Sequence, residues 1–426
     1  MALLTQRLFS VEGCFVTEFF EVLPPETALS TWLMQVTHRV DAETIRTYDA
    51  LGRVTARTIT SPEALPAFQR STVDGYAVRA ADTFGASDSL PAYLRVTGEV
   101  LMGEAATVEV GEGQAALIHT GGMVPPGADA VVMVEHTQPF AESEIEVLKP
   151  VAPGENALQI GEDVTQGDAV LPAAHRIQPQ DIGALLALGI VESVPVLKKP
   201  RVSIFSTGDE VVTPDTGRLT PGQIRDINSG TIQALCRRAG ADTLLHDIVP
   251  DRPDALYNAL SVALPESDML VVTAGSSVSV RDMTASTINR LGMPGVLVHG
   301  VAARPGKPTI LAVIDDKPVI GLPGNPVSAF VMFTLFGLPA IAHLMGTDLP
   351  LRARLRARVT VNVPSAAGRE DHVPVRLIQR EGETWAEPVF GKSNLIFTLV
   401  GADGLLIVPL NATGLREGAW GEVVLF

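Results

Sequence analysis

The sequence predicts a multidomain α/β plus β protein. It has one α/β domain with a mostly parallel sheet, an N-terminal mixed domain interrupted by a β-rich segment, and a small C-terminal β domain. Three observations carry this. The chain has 426 residues, and at ~100–200 residues per domain two to four domains are expected. Strand-like and helix-like apolar runs alternate between residues 200 and 347, as in a parallel sheet with helices on both faces. Short runs punctuated by Gly and Pro fill 61–157 and 348–426, which is the spacing of small β domains.

Residues 1–20 show little periodicity and read as an N-terminal extension. From Pro25 the chain reads helical through Trp32, Leu33 and Val36, and again over 42–47, before Pro62 and Pro66 interrupt it. Residues 21–60 and 158–199 form two segments of one domain, the second with a helix over 179–188 ended by Gly189. Between them, 93–96, 107–110, 115–119 and 130–135 are the expected strands of the inserted β-rich domain, 61–157.

The α/β domain, 200–347, opens with an apolar strand at 201–206. Asn228 or Ser229 caps a helix that ends at Gly240. Strand 243–249, helix 253–264, strand 268–273 and helix 284–291 follow. Strands 296–302, 309–314 and 318–322 lead to Asn325-Pro326, which opens a long helix with proline at the first helical position. Alternating runs such as 353–363 and 405–408 mark the C-terminal domain as all-β.

Hydrophobic residues are 46% and charged residues 19% of the chain, the balance of a globular protein. A net charge of -16 with a pI of about 4.9 argues against non-specific nucleic-acid binding, which needs a cationic face. An anionic small ligand is compatible, because it needs only a local pocket of donors. Cys14 and Cys236 make neither a disulfide framework nor a Cys-x-x-Cys pair, so a reducing, cytoplasmic setting is expected. No apolar run approaches the ~18–20 residues of a membrane span; 330–345 is apolar but contains Gly337, Pro339 and His343, and reads as a buried helix. The first residues lack a signal pattern.

Three loops at the C-terminal ends of strands are candidates for binding. Ser206-Thr207-Gly208-Asp209-Glu210 offers two hydroxyls and two carboxylates. Ala274-Gly275-Ser276-Ser277-Val278-Ser279, followed by Arg281-Asp282, offers hydroxyl and N–H donors for an oxyanion. Gly321-Leu322-Pro323-Gly324-Asn325-Pro326-Val327-Ser328 runs into a helix N-terminus, which favours a negative group. Each alone also reads as a tight turn; three at one edge of one sheet point to a phosphate or pterin site.

Arg304-Pro305-Gly306-Lys307-Pro308 places two cations three residues apart on a stiff turn, a clamp for a tetrahedral oxyanion or simply a solvated charge pair. Asp74, Asp163, Asp209, Glu210, Asp251 and Asp282 all lie in or beside Gly/Pro-rich loops. Such oxygen donors suit Mg2+, which takes one or two carboxylates plus substrate phosphates. The histidines show no zinc spacing, and neither a Walker loop nor a nucleophile elbow is present.

Together these segments resemble the molybdopterin molybdenumtransferases, the family of bacterial MoeA and of the E domains of gephyrin and its plant homologue. The resemblance runs from about residue 20 to the C-terminus. It is carried by Ser71-Thr72-Val73-Asp74-Gly75-Tyr76-Ala77-Val78-Arg79, by Thr120-Gly121-Gly122-Met123-Val124-Pro125 continuing to Val132, and by Gly161-Glu162-Asp163-Val164. The loops at 206–210, 305–308 and 321–328 complete it. It implies a MoeA-like fold with a molybdopterin-binding α/β domain, a dimerising N-terminal domain and a barrel-like C-terminal domain. It also implies a homodimer, and the composition adds the expectation of a cytoplasmic protein without nucleic-acid or membrane partners.

By motif position the resemblance gives Asp74, Thr120, Asp163, Glu210, Asp251, Asp282 and Lys307 catalytic roles. Ser206, Thr207, Gly208, Gly275, Ser276, Ser277, Ser279, Arg304, Gly306, Pro323, Gly324, Asn325 and Ser328 bind substrate; Arg369 and Ser393 face the oxyanion. The family usually carries Gly-Gly-Val-Ser where this chain has Ser276-Ser277-Val278-Ser279, and lysine where it has Arg304. Arginine keeps the charge and adds a planar fork.

The implied reaction inserts molybdate into adenylylated molybdopterin with release of AMP, with Mg2+ held by Glu210 and Asp282. Molybdopterin adenylyltransferase and molybdoenzyme apoproteins are the expected transient partners. Other readings of the same residues are a tungstate-inserting paralogue, a noncatalytic cofactor carrier or scaffold, and a pterin-adenylylating enzyme.

Overall fold

The computed structural model describes residues 22–274, 278–348 and 353–426, preceded by the strand pair Ser10–Val11 and Cys14–Phe15. Gly275, Ser276 and Ser277, and the side chain of Ser279, lie outside the described residues, as does most of the expected extension at 1–20. The described chain divides into two compact units. One holds Met1–Glu43, Gly52–Val54 and Val196–Phe426; the other holds Thr44–Leu51 and Thr55–Pro195.

Proline opens α1 (Pro25–Leu33), where its missing N–H costs nothing. Trp32 is fully buried, and its Nε1 donates to the Ala312 carbonyl at 2.7 Å. The helix expected over 42–47 is instead a strand, Ala42–Ile45, followed by a 3-10 turn at Thr47–Asp49. Its residues alternate between exposed and half-buried, so the two-residue period prevails over the helical propensity of Ala and Glu.

The unit built mainly from 55–195 carries a six-stranded sheet of β1 (Gly75–Val78), β2 (Ala92–Val100), β3 (Gln114–Ile118), β4 (Ala130–Met133), β5 (Thr137–Ala141) and β6 (Glu144–Val147). Its order is β5-β6-β2-β3-β1-β4, with β2 and β3 parallel and the other neighbours antiparallel. The strand expected at 107–110 is absent. Val110 is buried against Val100, Ala116 and Ile118, but its N–H goes to the Pro126 carbonyl. That apolar run is packing, not a ladder. Helix α2 (Pro179–Ala187) follows, with Gln178 and Asp181 forming a reciprocal capping box.

The α/β domain belongs to the other unit. Its sheet has the order β8-β7-β9-β13-β12-β10, from β7 (Arg201–Ser206), β8 (Asp242–Leu245), β9 (Met269–Ala274), β10 (Pro294–His299), β12 (Ile310–Ile314) and β13 (Lys317–Pro323). The strand β11 (Ala303–Arg304) lies between β10 and β12 in the chain and joins a different sheet. The first four strands of the order are parallel; β12 runs against both neighbours.

Val202, Ile204, Met269 and Val271 face one core, while Phe205, Leu270 and Val272 face another. The sheet is therefore buried on both sides, and the strands read as continuous apolar runs. Helices α3 (Asn228–Ala239), α6 (Pro326–Met332) and α7 (Leu338–Leu344) contribute to the first core, and α4 (Pro253–Ala263) and α5 (Val278–Leu291) to the second. α5 begins earlier than the expected 284. α6 and α7 are joined by a π turn, Phe333–Gly337, into a 19-residue apolar run, Pro326–Leu344. That run is long enough for a membrane span, contrary to the sequence expectation, but 78% of its most apolar 18-residue stretch is buried inside the protein, as expected of a core helix.

The C-terminal strands are β14 (Arg354–Val359), β15 (Glu370–Arg380), β16 (Glu383–Pro388), β17 (Gly404–Val408) and β18 (Trp420–Leu425). They follow one another as β15-β16-β14-β18-β17, and pairing of β15 with β17 closes the ring into a five-stranded barrel. Ala357, Val359, Val375, Ala386, Leu406, Val408 and Val423 fill it. β11 adds to the barrel alongside β15, in parallel.

Candidate active site

The register of the α/β sheet brings together the strand ends that lead into the three candidate loops. Ser206 pairs with Thr273, and Ala274 pairs with Pro323, so all three loops leave the C-terminal ends of adjacent strands β7, β9 and β13. The chain crosses from β7 outward to β8 and then back to β9 on the other side. That reversal is the crevice where open α/β sheets bind ligands.

The first and third loops are tied through the start of α3. Ser206 Oγ donates to Asp226 at 2.7 Å, Thr273 Oγ1 donates to Ser206 Oγ at 3.2 Å, and Asn228 Nδ2 donates to the Gly324 carbonyl at 2.8 Å. The expected capping role of Asn228 falls instead to Asp226, whose second carboxylate oxygen accepts the Ser229 N–H. Asn228 is itself the first helical residue and spends its amide on the neighbouring loop.

Thr207 is buried and Glu210 exposed. Asp251 sits beside Asp209, whose carboxylate accepts the Asp251 N–H at 3.2 Å. Burial raises the Asp251 carboxyl above the ordinary aspartate range, and the charges of Glu210 and Asp209 raise it further. The Thr207 hydroxyl tempers this shift, yet neither Thr207 Oγ1 nor the buried Asp251 Oδ1 meets ordinary hydrogen-bond geometry. A crowded acidic group with an oxygen to spare is the donor chemistry of a hard cation. Among the described residues no three His, Cys, Asp or Glu side chains converge closely enough to hold a metal alone. A divalent ion there would draw its other ligands from substrate oxygens. Asp282 is exposed on α5.

On the Arg-Pro-Gly-Lys-Pro turn, Gly306 has φ +113°, and a Cβ there would fall 2.7 Å from Met332 Sδ and nearer still to its Cγ. Glycine is required by the core beneath the turn, whatever binds above it. The Gly306 carbonyl accepts from Thr309 Oγ1 at 2.7 Å, and Lys307 is exposed with its carbonyl accepting the Val301 N–H. Arg304 and Arg369 converge on one carboxylate, Asp371, at 3.7 and 2.9 Å. The Ser393 carbonyl accepts the Val327 N–H from the first turn of α6, so the C-terminal loop is fastened to the third loop. Pro323 and Ser328 are buried; Gly324 and Asn325 are half-buried.

In the other unit, Gly75 pairs with Ile118, so Asp74 just before β1 meets Thr120 just after β3. Thr120 donates to Asp74 Oδ1 from its N–H at 2.8 Å and its hydroxyl at 3.2 Å. These bonds hold the Asp74 carboxyl below the ordinary aspartate range, the backbone bond foremost. His119 lies 3.8 Å from Asp74 and 2.9 Å from Glu99. Asp163 is exposed in its loop. Sequence reasoning missed Asp226, Asp371 and His119. Only Asp226 left a signal, an acidic residue just ahead of a helix.

Three domain families match the chain. They are described as the MoeA N-terminal region (domain I and II) over 23–189, a probable molybdopterin binding domain over 203–343, and the MoeA C-terminal region (domain IV) over 356–426. Molybdopterin molybdenumtransferase of Bacillus subtilis is 35% identical over 389 residues, 90% of this chain and 90% of its own. Molybdopterin molybdenumtransferase 2 of Mycobacterium tuberculosis is 33% identical over 381 residues, 88% and 93% of the two chains. A crystal structure of the molybdopterin biosynthesis MoeA protein from Pyrococcus horikoshii OT3 matches with a TM-score of 0.80 at 31% identity, covering 95% of this chain and 100% of its own.

Proposed function

The chain belongs to the MoeA family, enzymes of molybdenum cofactor biosynthesis, and we propose that it inserts molybdate into adenylylated molybdopterin with release of AMP. The observation that carries this reading is that β7, β9 and β13, the strands that lead into the three candidate loops, are neighbours in register in one sheet, with the Asp209–Asp251 pair beside the first loop.

The pterin phosphates would lie on the loops at 206–210, 275–279 and 321–328, against the N-terminus of α6. Glu210 and Asp251 would hold Mg2+, with Asp282 the third candidate; the ion neutralises phosphate charge when bound. Molybdate would be held by Arg304, Lys307 and Arg369, with Ser393 beside them. The two dithiolate sulfurs would bond to molybdenum in place of one oxo group, which leaves as water with two protons and no change of oxidation state, and attack of water on the phosphoanhydride would release AMP. The chain supplies position and electrostatics rather than a covalent nucleophile. Buried Cys236, its thiol pushed up to about 12 by desolvation, is unsuited to thiolate chemistry. Asp74, Thr120 and Asp163 complete the site across a homodimer in the cytoplasm under this reading.

Purified protein with adenylylated molybdopterin and Mg2+ tests it, by following AMP release with molybdate, with tungstate and with neither. Release that depends on the oxyanion supports insertion, and its preferred oxyanion identifies the cargo. Pterin bound without release rejects the transferase reading in favour of a carrier.

A further inference from the structure

Asp371 stands at the seam of the α/β domain and the barrel. β11 and β15 pair in parallel with Arg304 opposite Asp371, and the Glu370 N–H donates to the Ala302 carbonyl at 2.8 Å. The Asp371 side chain is 4% exposed, whereas Arg304 is 62% and Arg369 36% exposed. Arg369 Nε donates to Oδ1 at 2.9 Å and its Nη2 to Oδ2 at 3.5 Å, while Arg304 Nη1 approaches Oδ2 at 3.7 Å. One buried carboxylate thus carries two guanidiniums whose outer faces reach solvent. A buried charge persists only when paired, and two cations this close would repel one another without it.

We propose that Asp371 is the internal counter-charge of the oxyanion clamp. It rests on the reading of Arg304, Lys307 and Arg369 as that clamp. Asp371 offsets part of the charge of Arg304 and Arg369, so the pair it holds presents less than two full positive charges to a dianion. Without Asp371 the clamp would favour more highly charged ligands, the phosphates of the substrate among them, and would hold its dianion too tightly to surrender it to the dithiolate. Asp371 therefore acts through Arg304 and Arg369, as a positioning and charge-setting residue.

A dianion feels the loss of one nearby negative charge twice as strongly as a monoanion of the same shape. Equilibrium dialysis of the full chain against molybdate, and against monoanionic tetrahedral perrhenate, exploits this. Asp371→Asn is expected to tighten molybdate about tenfold and perrhenate only about threefold, on the order of a charge–charge effect near solvent. Arg304→Gln is expected to weaken molybdate more than perrhenate. The double variant Arg304→Gln with Asp371→Asn, which removes the buried charge together with a partner, restores the wild-type ratio of the two affinities; it carries the test if Asp371→Asn fails to fold. Equal shifts for both oxyanions, weaker molybdate binding in Asp371→Asn, or no restoration in the double variant would overturn the inference. If the wild-type chain binds neither oxyanion, or if Arg304→Gln and Arg369→Gln leave molybdate binding unchanged, the clamp reading itself fails.

Discussion

Asp226 accepts the Ser206 hydroxyl at 2.7 Å with one carboxylate oxygen and the Ser229 N–H at 3.2 Å with the other. One side chain therefore caps α3 and orients the first hydroxyl of the candidate loop after β7. Asp226→Ala should lose about 1 kcal/mol of stability, the usual cost of a missing cap. It should also raise the KM for the pterin substrate. Asp226→Asn keeps an acceptor and should recover most of the stability. Chemical denaturation beside steady-state kinetics checks both.

Asp251 carries a charge that folding does not welcome. Its carboxyl is raised in the folded state, so the folded chain binds more protons than the unfolded chain between the ordinary and the raised value. Stability from this group therefore falls as pH rises through that window. Asp251→Asn should raise Tm at neutral pH, and the gain should shrink as pH drops through the carboxylate range. Mg2+ should raise the Tm of the wild type more than that of the variant. Calorimetry across pH, with and without Mg2+, decides; an unchanged Mg2+ response would remove Asp251 from the cation site.

Lys307→Ala should reduce oxyanion-dependent AMP release by about 10²–10³-fold, the scale for losing one preorganised electrostatic contact. Pterin binding should be retained. Full activity would mean that the clamp lies elsewhere.

Gly306→Ala should destabilise the chain by about 1–3 kcal/mol, because the added carbon has no room against Met332. The added carbon is also strained at φ +113°. Combining it with Met332→Ala should cost less than the sum of the two single changes. A double-mutant cycle by urea denaturation measures this, and strict additivity would show that backbone strain alone is responsible.

The edges of the α/β sheet were legible because central strands buried on both faces write unbroken apolar runs, and their ends carry Gly, Ser and Pro. That is how 201–206 and the loops after it could be placed. Two residues, one in each compact unit, that hold candidate side chains in place were not legible. Asp371 matters because strand pairing puts Arg304 beside it across 67 residues. His119 matters because antiparallel strands bring Asp74 to it. Neither separation leaves a local period. The run at 107–110 misled for the opposite reason: it is apolar because it packs under a sheet to which it does not belong.

Trp32 fills the first core of the α/β sheet and closes a hydrogen bond to the backbone of β12, 280 residues further on. Residues 200–347 on their own would keep the six strands of the α/β sheet yet open a hole the size of an indole and strand a carbonyl in it. The α/β domain is thus not a detachable cassette. Shortening the N-terminus past Pro25 should be felt in the core of the α/β sheet, and a gene fusion or truncation that begins at residue 200 should need a surrogate for one tryptophan.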